Sequence, residues 1–261
     1  MIRSTAALVA ALVLSASALG PASASARAVH HSKSSSDAKV RVVHGSPDAG
    51  PVTVSVDGST VLSNFLYGTV TPYISLPAGT YTLAVTTAGG AQVSLTATLS
   101  GGTDYSVVAT GELSPAASPG TPNIALTAYV DSPFVKGTPS VNFHHAAPVT
   151  GASAQVPFGI GLLESPKNDQ LGSATFGNET GPLAVPSSAT GKPLELYAVS
   201  VDDFTLIPNQ IAPADFKNVL PSKSGANISV YAIDGPAAAS VPSISGTDVV
   251  RLVGAFDPAG V

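Results

Sequence analysis

Lys39-Val40-Arg41-Val42-Val43-His44-Gly45-Ser46-Pro47-Asp48-Ala49-Gly50-Pro51-Val52-Thr53-Val54-Ser55-Val56-Asp57-Gly58 holds two short runs rich in Val, separated by a Gly, Ser, Pro and Asp cluster and closed by Asp-Gly. Side chains branched at Cβ favour extended backbone, and Gly, Pro and Asp at the breaks supply turn conformations. Val52, Val54 and Val56 alternate with Thr53, Ser55 and Asp57, the pattern of a strand with one face on a core and the other in water. Asp57-Gly58 suits a two-residue hairpin whose central residues need positive φ.

The same rhythm runs outward. Strands are predicted at Lys39-His44, Pro51-Val56, Thr60-Phe65, Tyr73-Leu76, Tyr81-Thr87, Ala91-Leu99, Asp104-Thr110 and Ile124-Val130, with Pro77-Ala78-Gly79, Gly89-Gly90 and Gly101-Gly102 between them. Turn residues about every 8 to 12 positions mark an all-β sandwich or barrel. Beyond residue 38 Pro and Gly recur before three helical turns can form, and only Pro213 to Lys217 has room for one short turn.

Toward the N-terminus the character changes. Arg3, the apolar run from Ala6 to Leu19, and Ala22-Ser23-Ala24-Ser25-Ala26 have the three parts of a secretory signal peptide, assigned to residues 1–28 with cleavage after Ala26 or Ala28. A membrane anchor needs about 20 uninterrupted apolar residues, and Gly20-Pro21 breaks the run sooner. Residues 29–38, with His30-His31, Lys33 and four serines, read as a flexible tether. The expected product is secreted or extracellular, held at most by association with the cell surface, and has no membrane span once the signal is removed.

Composition excludes several classes. With 11 Lys+Arg against 16 Asp+Glu and a net charge of -5, there is no basic cluster to displace counterions from a nucleic acid. Charged residues make up 10% of the chain, too few for a charge-rich disordered segment or a salt-bridged coiled coil. With no cysteine there is no disulfide framework, thiol nucleophile or Cys-ligated zinc.

An internal repeat organises the rest. Val40-Arg41-Val42-Val43-His44-Gly45-Ser46-Pro47 aligns without a gap to Val141-Asn142-Phe143-His144-His145-Ala146-Ala147-Pro148. Tyr67-Gly68 matches Phe176-Gly177, Leu76-Pro77 matches Val185-Pro186, Tyr105-Ser106-Val107 matches Ile228-Ser229-Val230, and Asp131 matches Asp257. The expected organisation is a first β-sandwich at 38–134, a short linker from Ser132-Pro133 to Thr138, and a second, diverged β-sandwich at 139–258.

Val42-Val43-His44-Gly45-Ser46-Pro47-Asp48-Ala49, then Val54-Ser55-Val56-Asp57-Gly58, Tyr67-Gly68 and Leu76-Pro77-Ala78-Gly79-Thr80-Tyr81, resemble the secreted bacterial family named domain of unknown function 4397. The likeness is specific over residues 40–111 and weaker over 141–258, where Val149 stands in place of Asp48 and Pro157-Phe158 in place of Val56-Asp57. It implies an extracellular β-sandwich and no agreed activity; with the repeat, the expected fold is all-β, two tandem immunoglobulin-like antiparallel β-sandwich domains.

Candidate site residues cluster at the turns: His44, Ser46, Pro47, Asp48 and Asp57 in the first copy, His145 and Pro148 in the second. His44 follows Val40 and Val42 on the core-facing side, where an imidazole can donate to a turn carbonyl or accept from a backbone N–H. It could instead bind a metal or act as an acid or base, but metal binding needs three or four converging ligands and only Asp48 is near in sequence. His144 and His145, adjacent on a strand, point to opposite faces and form no chelating pair. Calcium would need six to eight oxygens, and the second copy lacks both acids. Glu164 and Asp202-Asp203 read as solvated loop acids. Tyr105 is placed to bond nearby backbone as in a tyrosine corner.

No Gly-x-Ser-x-Gly elbow, His-Glu-x-x-His or phosphate-binding glycine loop occurs, so no catalytic, cofactor or metal residues are assigned. The sequence points to a non-catalytic binding or adhesion module for a cell-envelope glycan or surface protein. A structural envelope or matrix protein is the second reading, and a secreted enzyme with an unrecognised site the third. A binder should expose an apolar or aromatic patch, and an enzyme should gather His, Asp and Ser in one pocket.

Overall fold

The computed structural model describes residues 36–114, 123–147, 158–162, 170–185, 196–200, 227–234 and 250–257. The signal peptide, residues 29–35 of the tether, Pro148, Glu164, Asp202-Asp203 and the turn at Pro213 to Lys217 lie outside them.

The first half contains β1 (Ala38–His44), β2 (Val52–Val56), β3 (Ser59–Phe65), β4 (Ile74–Leu76), β5 (Gly79–Thr87), β6 (Gln92–Leu99), β7 (Asp104–Thr110) and β8 (Ala125–Asp131). All eight coincide with the predicted runs to within two residues at either end. They form two sheets, β4-β1-β7-β8 and β3-β2-β5-β6. Val40 and Val42 face the second sheet, Val40 burying with Leu83 and Leu99 there and with Tyr105 and Val107 of β7, and Val42 with Val52, Val54, Phe65 and Val85. Asp57, at φ 48°, and Gly58, at φ 79°, make the predicted tight turn between β2 and β3. Tyr105 accepts a hydrogen bond from the Ser100 backbone N–H at 3.0 Å, the backbone tie expected of its position.

The second half contains β9 (Ser140–His145), β10 (Phe158–Leu162), β11 (Gln170–Ala174), β12 (Glu179–Ala184), β13 (Leu196–Ser200), β14 (Asn227–Asp234) and β15 (Val250–Asp257). Its sheets are β12-β9-β14-β15 and β11-β10-β13.

The expectation of purely antiparallel sheets is corrected at one place in each half. β1 pairs in parallel with β7, and β9 in parallel with β14. In each half the first strand lies inside its sheet rather than at an edge, because β4 or β12 returns to cover its free side. The registers also agree: Arg41 lies beside Ser106, and Asn142 beside Ser229.

The outer face of β4-β1-β7-β8 is not in water. Val43, Val108 and Tyr129 pack there against Ala146, Tyr231, Ile233 and Val253 of the second half. β1 is therefore buried on both faces, and of its seven residues only Lys39 is exposed. At about 1.5 to 3 kcal/mol for a fully buried Val, this second contact is a major part of the core. The described residues all fall within one compact unit.

Candidate functional site

Between the sheets β4-β1-β7-β8 and β12-β9-β14-β15 lies a seam of buried polar groups. Arg41 projects into it from the middle of β1 and is 1% exposed. A bare guanidinium there would be prohibitive, so its donors must all be met. Nη1 and Nη2 donate to the two carboxylate oxygens of Asp257 on β15, at 2.8 and 3.1 Å. Nη2 also donates to Ser229 at 2.6 Å and to the Tyr73 hydroxyl, and Nε donates to Ser106 at 3.0 Å. The guanidinium carbon lies 4.0 Å from the Tyr73 ring centre.

Ser106 relays this cluster to the next. Its Oγ accepts from Arg41, so its own hydrogen goes to Asp131 Oδ2 at 2.6 Å. The Tyr231 hydroxyl, 2.7 Å away, must then donate to Ser106. Tyr73 likewise donates to Asp131 Oδ2 at 2.7 Å.

Asp131 Oδ1 meets His144 Nε2 at 2.9 Å, and Glu179 Oε2 lies 3.2 Å from the same nitrogen. Asp131 closes β8, His144 is on β9 and Glu179 opens β12, so the three converge only when the sheets pack. Ser132 donates to Glu179 Oε1 from its backbone N–H at 3.0 Å and from its hydroxyl at 2.5 Å. The Asn142 amide N–H donates to Glu179 Oε2. His144 stacks on Tyr231 with ring centres 4.4 Å apart and meets Tyr129 edge-on at 5.3 Å. The three ligand-type atoms lie within 4.8 Å of one another, close enough to hold a cation.

Burial and contacts pull in opposite directions here. Burial opposes charge on His144, but Asp131 and Glu179 outweigh it and raise its pKa. Burial would raise Asp131, but the His144 contact and hydrogen bonds from Ser106 and Tyr73 hold it below the usual carboxylate range. Glu179 is lowered in the same way by His144, Ser132 and Asn142 against the cost of burial. Burial opposes the Arg41 charge too, but Tyr231, Asp257 and Tyr73 outweigh it and raise its pKa. Tyr231, Tyr73 and Tyr129 are all pushed up, mainly by burial, and remain neutral donors.

The turn residues singled out from sequence form a separate, smaller arrangement. His44 Nε2 donates to the Gly50 carbonyl at 2.8 Å, and Nδ1 faces the Ser46 backbone N–H at 3.4 Å. Ser46 Oγ faces Asp48 at 3.4 Å, and Asp48 accepts backbone N–H bonds from Leu113 at 2.8 Å and Ser114 at 2.9 Å. Pro47 sits within this turn. Asp57 is at the opposite end of β2, where it accepts from the Thr82 backbone N–H at 2.8 Å. His145 is buried in the second half beside Phe176, with ring centres 6.0 Å apart. His44 has a matching neighbour in Tyr67 at 6.2 Å. His144 and His145 do point to opposite faces, and only His144 enters the seam.

Corresponding backbone bonds surround the two turns. Gly68 N–H donates to the His44 carbonyl at 2.8 Å, and Gly177 N–H to that of His145 at 2.9 Å. Gly45 N–H bonds Ala109 and Ala146 N–H bonds Ala232, both at 2.8 Å.

The seam residues Arg41, Tyr73, Ser106, Asp131, His144, Glu179 and Asp257 were not among the sequence candidates. The alignment of Asp131 with Asp257 and of Ser106 with Ser229 held the usable signal. Each Asp ends its sheet's last strand and reaches the first strand of the other half.

Residues 38–153 match the family model of Domain of unknown function (DUF4397), and such a domain is present there. The match runs from β1 through β9. No curated protein matches the chain.

Proposed function

We propose that this chain, with its domain of unknown function, is a secreted, non-catalytic binding module of the cell envelope, built from two diverged immunoglobulin-like copies. Its partner is a surface protein that presents an aliphatic side chain. One observation carries the binding assignment: an apolar cleft of about 310 Å³ between the two sheets of the first half, lined by Val40, Val54, Leu62, Ile74, Leu83 and their aliphatic neighbours. Val61 and Ile74 on its lining are each 41% exposed. Thr71 also lines it, but its hydroxyl accepts from the Val42 backbone N–H, so a ligand meets almost entirely hydrocarbon. Such a wall suits a side chain of a protein and offers a bare glycan few hydrogen bonds.

The copy assignment is supported by the shared strand order, the parallel pairs in the same register and the matched backbone bonds around His44 and His145. The non-catalytic reading is supported by the burial of the His, Asp and Glu convergence, where His144 is 0% and Asp131 4% exposed. Secretion rests on the signal-peptide pattern of residues 1–28. Among the described residues no helix is long and apolar enough to cross a membrane.

Co-sedimentation of residues 29–261 with cell-wall material, native or protease-treated, and with purified polysaccharides tests the reading. Saturable pelleting that disappears after protease treatment of the wall, and in Val61→Asp or Ile74→Asp, is expected. Equal pelleting with bare polysaccharide would assign a glycan instead. No pelleting together with self-association would favour a structural envelope protein.

A further inference from the structure

We infer that Asp131, His144 and Glu179 form a binding site for a first-row divalent cation of the zinc class, which joins the two halves of the chain. This is independent of the partner assigned above.

The geometry around His144 Nε2 comes first. That nitrogen lies 2.9 Å from one carboxylate oxygen and 3.2 Å from another. A single N–H points along one line and cannot bond both well. A cation among the three atoms serves them all. Ligands on a tetrahedral ion with bonds of about 2.0 to 2.2 Å lie about 3.3 to 3.5 Å apart. The two nitrogen-to-oxygen spacings need shifts of a few tenths of an ångström to reach this, and the two carboxylate oxygens lie within 4.8 Å of each other.

Charge gives the second argument. The seam holds three carboxylates, Asp131, Glu179 and Asp257, against Arg41 and one imidazole. Lys39 and Asp104 at its rim offset each other. Among the described residues, even with His144 protonated, one negative charge is left over in a largely buried region. A divalent ion bound to a neutral imidazole brings the total to zero. The neutral ring also avoids burying a positive imidazolium at a position that is 0% exposed, leaving a neutral Nδ1–H without a partner.

The two carboxylates are supported from outside. Asp131 is held through its other oxygen by Tyr73 and Ser106, and Glu179 through its other oxygen by Ser132. Such outer contacts fix ligands in place and tune their basicity. Asn142 is 0% exposed and its Oδ1 has no partner, while its amide nitrogen touches Glu179 Oε2. Reversing that amide brings the orphaned oxygen to the site as a fourth ligand. One imidazole with two or three oxygens fits zinc or manganese, and falls short of the six to eight oxygens calcium takes. Entry is from the side of Glu179, the most accessible of the three at 14%.

The test uses the mature chain purified without chelator. Elemental analysis is expected to find close to one equivalent of a divalent first-row ion per chain. Prolonged dialysis against a strong chelator should lower Tm, and zinc should restore it. Cobalt loaded in place of zinc should give visible absorption bands that disappear in Glu179→Gln, a change on an edge strand chosen because His144→Gln could prevent folding. Circular dichroism confirms that the variant is folded. A metal-free protein whose Tm ignores both chelator and zinc would overturn the assignment and leave a proton between the three groups. Unchanged cobalt bands in folded Glu179→Gln would overturn it as well.

Discussion

Arg41 and Asp257 stand 216 residues apart and meet through two parallel hydrogen bonds of 2.8 and 3.1 Å between the inner faces of two sheets. A planar guanidinium against a carboxylate is the strong form of this contact. Removing one partner leaves the other charge buried, which costs about 3 to 5 kcal/mol, whereas removing both spares that penalty. Arg41→Met and Asp257→Leu are each expected to lower unfolding free energy by about that amount, and the double variant by clearly less than their sum. Chemical denaturation of the four proteins measures the coupling. Additive losses would mean that the two side chains do not stabilise each other.

Gly45 is fixed by crowding rather than by its φ angle. A Cβ there would sit 2.7 Å from the Ala109 carbonyl oxygen and 2.9 Å from Ile233 Cγ2 on β14. Gly45→Ala must therefore push the two halves apart locally, and a loss of about 1 to 3 kcal/mol is expected. Gly58, at φ 79° with open space around its Cβ position, provides the comparison. Gly58→Ala carries only the backbone cost of about 1 to 2 kcal/mol. Thermal unfolding should show a drop in Tm for Gly45→Ala with loss of Arg41 to Asp257 coupling, while Gly58→Ala keeps that coupling.

The strands of the first half were legible because alternation and turn chemistry are local properties, as at Val52 to Gly58. The seam was not, because it depends on which surface covers the outer face of β1. Alternation assigns Val40, Val42 and His44 inward and leaves Arg41 and Val43 toward solvent. The unbroken apolar pair Val42-Val43 was the available sign of a strand buried on both faces, and its counterparts Phe143-His144 do not repeat it. A charged Arg41 directly before that pair conceals the sign, since its partner Asp257 lies near the other end of the chain. Asp131, His144 and Glu179 share no sequence spacing typical of ligands, as they come from three strands of two sheets.

His44 gives a pH dependence with a definite sign. Burial holds its pKa below the ordinary value of about 6.5, and the bond to the Gly50 carbonyl offsets this only in part. The neutral ring is thus the folded form, and the unfolded chain takes up the proton first. The contribution of His44 is fully present above the unfolded pKa and is lost as pH falls through 6.5 toward the lower folded value. His44→Gln, which can still donate to Gly50, should remove this component, and the wild-type minus variant difference in unfolding free energy should shrink as pH falls from about 7 to 5. His44→Ala is expected to cost about 1 to 3 kcal/mol at pH 7 by leaving the Gly50 carbonyl without its donor, with wall binding retained. Lost binding with unchanged melting would give His44 a contact role instead.

The contact between halves also predicts how the chain behaves when divided. In residues 36–134 alone, Val43, Val108 and Tyr129 lose their cover, and Arg41 loses Asp257 and Ser229. What remains is a sandwich with one apolar outer face, on which Arg41 keeps only Tyr73, Ser106 and, at 3.9 Å, Asp131. Such a face either recruits a second copy or leaves the fold weaker. Since each kcal/mol moves Tm by about 4 to 8 °C in a domain of this size, a fall of more than about 10 °C, or concentration-dependent dimerisation, is expected. Sedimentation velocity and thermal unfolding of the fragment beside residues 29–261 decide the matter. A monomeric fragment with the full Tm would mean that the halves are independent domains and that the seam contributes little to stability.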